Sequence, residues 1–130
     1  MEERMNKEQV ISLIESINLD IEDFTILSSS GLVLRGIMET AGDLDIAVTM
    51  KGLNRLKEQF DVRKKNEFFY TVTDKIECVQ DDMIGKRTKI GNYYCQNIIE
   101  YLNYLKNSER EKDKLRVALV EEYIRNGNVE

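Results

Sequence analysis

Two aspartates one residue apart, in Gly42-Asp43-Leu44-Asp45-Ile46-Ala47-Val48, are the side chains of this sequence best placed to do chemistry. The alternation assigns Leu44, Ile46 and Val48 to one face of a β-strand and both carboxylates to the other, roughly 7 Å apart along the strand. Two acids aimed the same way make a metal-holding geometry for a hard cation. A third strand-borne acid, Glu77, stands in the run from Lys75 to Val79, where it shares a face with Val79 while Ile76 and Cys78 share the other. If the two strands are neighbours, Glu77 comes within roughly 5 Å of the pair. Like charges at that distance repel by about 3 kcal/mol per pair at an effective dielectric constant of about 20, and a bound cation removes that repulsion.

The elements around these acids must hold them. Phe24 to Leu27 reads as a short buried strand. Ser28-Ser29-Ser30-Gly31 interrupts the apolar pattern and Leu32-Val33-Leu34-Arg35 resumes it before Gly36. A strand, a small-residue turn and a short helix would bring backbone N–H groups to a helix N-terminus, where anions are favoured. Upstream, Asn6 is an N-cap candidate for a helix to Ile17, with Val10, Ile11, Leu13, Ile14 and Ile17 at helical spacing. Downstream of the aspartate strand, Lys51 to Phe60 reads as a helix with Leu53, Leu56 and Phe60 inward.

Arg63-Lys64-Lys65-Asn66 reads as a polar turn, and Phe68 to Val72 with Lys75 to Val79 as a hairpin turning at Thr73-Asp74. Asp81 to Asn92 is loop-like, with Gly85, Gly91 and the basic residues Lys86, Arg87 and Lys89. The last third is read as helical, from about residue 95 to 126. Ile98, Ile99, Leu102 and Leu105 form one stripe; Ser108 and Glu111 form a capping box; Leu115, Ala118, Leu119, Tyr123 and Ile124 are assigned inward on the final helix; and Asn126-Gly127 is a stop signal.

With 130 residues the expectation is a single domain, its core at about 24–80, and no prolines, repeats or low-complexity tracts mark a boundary. Hydrophobic residues at 42% and charged residues at 33% fit a folded globular chain rather than a disordered one. There is no histidine and no C-x-x-C, so zinc sites and histidine-based catalysis are excluded, and Cys78 and Cys95 are expected as buried thiols. A net charge of −5 opposes broad nucleic-acid binding. No apolar run reaches the roughly 20 residues of a membrane span. Met1-Glu2-Glu3-Arg4 lacks the order of a secretory signal, so the cytoplasm is the expected location.

The succession of strand, Ser28-Ser29, helix, Gly36, then Gly42-Asp43-Leu44-Asp45 on a strand and Glu77 on a later one resembles the nucleotidyltransferase-fold superfamily. More narrowly, Ser28 to Val48, with Thr40 before the aspartates, is similar to small bacterial nucleotidyltransferase-like proteins of abortive-infection and toxin–antitoxin systems and mobile elements. Lys106, Arg110 and Lys112-Asp113 are similar to a C-terminal signature of those relatives. The resemblance spans roughly Phe24 to Ile124. It implies an α+β fold, a nucleotidyltransferase-like mixed β-sheet flanked by α-helices with C-terminal helices.

The resemblance also implies that Asp43, Asp45 and Glu77 are catalytic and bind magnesium. Ser28 and Ser29 would hold the triphosphate of a nucleoside triphosphate, Glu77 would polarise the acceptor hydroxyl, and Lys106, Arg110 and Lys112 are candidate phosphate partners. Asp113 is assigned as a structural partner of a nearby base. Where the relatives carry glycine followed by serine or glycine, this chain has Ser28-Ser29; a slip of one residue would use Ser30-Gly31 instead.

Two functions are expected. One is magnesium-dependent transfer of a nucleotidyl group to an unknown hydroxyl acceptor, with acceptor recognition supplied by a partner, a homodimer or the C-terminal helices. The other is a non-catalytic descendant from a phage or mobile element, an acidic protein that binds a host or defence protein. No membrane contact is expected in either case.

Overall fold

The computed structural model describes residues 3–83, 85–128 and 130. The chain is α+β: one seven-stranded mixed sheet and, among the described residues, five α-helices. Helix α1 (Lys7–Ser16) begins at an Asn6 cap whose side chain accepts the Gln9 N–H, while the Gln9 side chain accepts the Asn6 N–H. Strand β1 (Phe24–Leu27) runs directly into α2 (Ser28–Leu34), and β2 (Leu44–Val48) is the aspartate strand.

Thr49 then caps α3 (Met50–Gln59), accepting the Gly52 N–H and donating to Asp23. Gly52 has to be glycine because a Cβ there would lie 2.9 Å from the Asp23 carbonyl oxygen. Strands β3 (Arg63–Lys64), β4 (Phe69–Thr71) and β5 (Ile76–Gln80) follow, then β6 (Arg87–Ile90), β7 (Tyr93–Gln96), α4 (Ile98–Lys106) and α5 (Glu111–Arg125).

The strand order is β3-β4-β5-β2-β1-β7-β6. At the centre β2 pairs antiparallel with β1 and parallel with β5. One face of these strands presents Phe24, Ile26, Leu44, Ile46, Val48, Ile76 and Cys78. They pack with Val10, Ile14 and Ile17 at α1 and with Leu53 and Leu56 of α3 to form the main core. Both cysteines are buried free thiols, as expected, and burial pushes each up to about 11. A second cluster joins Leu32 of α2 to Ile98, Tyr101, Leu102 and Leu105 of α4 and Val120 of α5. Among the described residues no helix is long and apolar enough to cross a membrane.

The structure corrects the sequence reading at four places. Arg63-Lys64 is a short edge strand rather than part of a turn. The stretch expected as a loop holds β6, which pairs with β7 as an antiparallel hairpin across Gly91-Asn92, where Gly91 has φ +62°. Residues 95 and 96 are therefore strand, and the helical part starts at Ile98.

The stripes of the last two helices also differ. Ile99 is 45% exposed, and on α5 Leu115 and Leu119 face outward because the ion pairs of Asp113 take the inward side. Ser108 is not the cap of α5. Its hydroxyl donates to Asp113 and accepts the Arg110 N–H two residues on.

Candidate functional site

The face of the sheet opposite the main core carries Asp45, by the same alternation that buries Leu44 and Ile46. In the β2–β5 pairing Asp45 is the register partner of Glu77, so the two acids come from directly neighbouring positions. Asp43 stands at the entry to β2. Its backbone is fixed there by the Ser30 hydroxyl, which donates to the Asp43 carbonyl at 2.7 Å. The Lys75 ammonium donates to the preceding carbonyl of Gly42 at 3.1 Å, and a bridge from Met5 to Ala41 holds the loop before it. The approach to the aspartates is thus pinned by three separate segments.

A pocket of about 430 Å³ opens over Asp43 and Asp45. Ser28 and Ser29 line one side of it, and Arg110, Lys112, Arg116 and Arg4 bring four cations to its wall. Ser28 has φ +53°, the left-handed region that favours glycine. This chain therefore keeps a glycine-type backbone conformation at the first position of its serine pair while carrying a side chain there.

The electrostatics of the acids are unequal. Burial, then the charges of Asp43 and Glu77, push the Asp45 carboxyl up to about 6, against a smaller opposing pull from Lys65 and Lys112. Glu77 forms an ion pair with Lys65, and that pair raises the lysine. Among the described residues no three acid or thiol groups close on one point as metal ligands. Two carboxylates are nevertheless a sufficient protein share for magnesium, which is commonly held by one or two acids together with substrate phosphates. Asp43 and Asp45, two hard oxygen donors on the wall of one pocket, are the residues that would hold such an ion.

The basic wall is preorganised by a buried acid. Asp113 has no exposed side-chain surface; it accepts hydrogen bonds from Arg110 Nε at 2.8 Å and from Ser108 at 2.7 Å, and Arg116 lies 3.7 Å away. Burial acts to raise the Asp113 carboxyl, but the bonds from Arg110 and Ser108 outweigh it and hold it below the ordinary aspartate value. Arg116 also donates to the Tyr101 hydroxyl at 3.3 Å, tying α5 to α4. One carboxylate therefore orients two guanidiniums on the rim of the pocket.

Of the residues singled out in the sequence, Ser28, Ser29, Asp43, Asp45, Arg110 and Lys112 line one pocket, and Glu77 joins them through the sheet register. Lys106 does not line it; its ammonium lies 3.6 Å from Glu121, pairing α4 with α5. Asp113 is the structural partner of bases that was expected. Sequence reasoning missed Arg4, Arg116 and Lys65. Arg116 had a readable signal, its position three residues after Asp113 on one helix. Arg4 and Lys65 reach the site or its acids only through the tertiary fold.

Comparison of the chain with family models, with curated proteins and with solved structures finds no match in any of the three. Fold and site define its class: an α+β protein with paired acids and a basic wall facing one pocket beside the central strands.

Proposed function

We propose that this chain is a minimal nucleotidyltransferase-fold protein that binds a nucleoside triphosphate with magnesium and transfers a nucleotidyl group to a hydroxyl acceptor. The observation that supports this reading is the parallel β2–β5 register, in which Glu77 is the partner of Asp45, itself part of the pocket lined by two serines and three C-terminal basic residues.

In this reading Asp43 and Asp45 hold magnesium, which when bound screens the triphosphate and polarises the attacking hydroxyl. Ser28 and Ser29 bind phosphate oxygens through hydroxyl and N–H donors. Arg110, Lys112 and Arg116 neutralise the charge of the polyphosphate. Glu77, once Lys65 turns away from it, takes the proton of the acceptor hydroxyl. The hydroxyl oxygen bonds to the α-phosphorus as the bond to pyrophosphate breaks, and pyrophosphate leaves with the electron pair.

The test is transfer of label from α-labelled nucleoside triphosphates into an acceptor fraction. Asp43→Asn and Asp45→Asn should each reduce transfer at least about a hundredfold with far-UV circular dichroism unchanged. Undiminished transfer by either variant contradicts the assignment.

A second reading, a non-catalytic interaction protein on the same fold, is favoured by one feature: Glu77 is neutralised by Lys65. A stable complex with another protein and no triphosphate binding would select it.

A further inference from the structure

The outer face of α5 plays no part in the site or the core. Its buried side is marked by Asp113 and Val120; opposite stand Leu115, 73% exposed, and an exposed Ala118, with Leu119, 41% exposed, on the flank between the two sides. Glu111, Leu115, Ala118, Glu122 and Arg125 follow one another at intervals of four, three, four and three residues, the spacing of a coiled-coil seam. The apolar part is short and its ends are charged.

We infer that α5 is a homodimer interface in which the helices of two copies cross antiparallel about a two-fold axis at Ala118. The charges select a second copy as the occupant. With the axis at Ala118, Lys114 of one copy faces Glu122 of the other and Glu111 faces Arg125, and the two-fold repeats both pairs. An isologous contact needs this self-complementarity, since one patch must match itself. The Lys114–Glu111 pair within the helix, 3.4 Å long, is exposed and contributes little, so it yields to the contact between copies.

The shape agrees with the charge. Ala118 at the axis is small enough for close approach of the two helices. Leu115 of each copy then falls over residues 119–122 of the other, at the mouth of a cavity of about 200 Å³ lined by Gly36, Ile37, Leu119 and Tyr123. Each leucine is a knob for the other copy's hole.

Sedimentation equilibrium of the full chain, from micromolar to millimolar concentration, tests the inference. The expected result is a species of twice the 15.2 kDa chain mass, with a dissociation constant that Leu115→Glu weakens about a hundredfold. Because Leu115 is exposed in the single chain, Leu115→Glu should leave the circular dichroism spectrum unchanged. Met83→Glu, at another exposed apolar residue outside the stripe, should leave dimerisation intact. Lys114→Glu should weaken the dimer, and the double exchange Lys114→Glu, Glu122→Lys should restore it. A wild-type monomer at every concentration overturns the inference and leaves the stripe to a different partner. A dimer indifferent to Leu115→Glu overturns it as well.

Discussion

Asp45 of β2 and Glu77 of β5 are register partners on neighbouring parallel strands, 32 positions apart in sequence and adjacent in the sheet. The intervening β3–β4 strands fold outward to the sheet edge, so the chain returns with Glu77 beside Asp45. Lys65, from the segment between β3 and β4, then meets Glu77. The same topology that gathers negative charge thus delivers a cation to it.

The raised Asp45 carboxyl has a consequence for stability. A folded-state value of about 6 against an ordinary 3.8 means that the folded protein binds more protons in that interval, so this group lowers stability as pH rises from 3.8 to about 6. Asp45→Asn removes the penalty. It should stabilise the protein by about 1 to 3 kcal/mol at pH 7, and the gain should vanish below the ordinary aspartate value, where Asp45 is already neutral in both states. Urea denaturation across this range reads both effects.

Glu130 and Arg35 carry the opposite dependence. Both side chains are 2% exposed, and Glu130 accepts from Arg35 Nε and from the Ile98 N–H. Burial acts to raise the Glu130 carboxyl, and the Arg35 bonds overcome it and hold the group below the ordinary 4.5. Its stabilisation is therefore full above that value and is lost as pH falls through the lower folded-state value. Glu130→Ala strands a buried guanidinium and should cost about 3 to 5 kcal/mol in denaturant titration, whereas Arg35→Met with Glu130→Leu should cost less than the single change.

Ser28 stores strain where the serine turn between β1 and α2 begins. Ser28→Gly relieves a left-handed residue at some cost in unfolded-chain entropy, so a net gain of about 0.5 to 1 kcal/mol is expected. If the backbone N–H groups of the turn bind phosphate, calorimetry should show triphosphate affinity retained or increased in this variant.

Much of the frame was legible because alternation and caps are local. β1, β2 and β5, with Asn6 capping α1, follow from apolar spacing alone. β6 and β7 were missed although Gly91-Asn92 is a two-residue hairpin signal, because four-residue strands with Lys89 and Gln96 lack a clean apolar face. The orientation of α5 was misread because an apolar stripe is assumed to face inward. Here Asp113, fully buried with Arg110 and Arg116, sets the inward face instead. The acids of the site could be read as candidates, but their convergence depends on the β2–β5 pairing, which no local pattern specifies. Arg4 was invisible for the same reason, since its place is fixed by its bonds to Thr40.

The proposed function requires Asp43 and Asp45 to form a magnesium-dependent nucleotide site. Calorimetric titration with each of the four ribonucleoside triphosphates, with and without magnesium, beside the Asp43→Asn, Asp45→Asn double variant, tests it most directly. Binding that requires magnesium and disappears in the double variant is the predicted result. Equal binding by both proteins, or none by either in any condition, would contradict it.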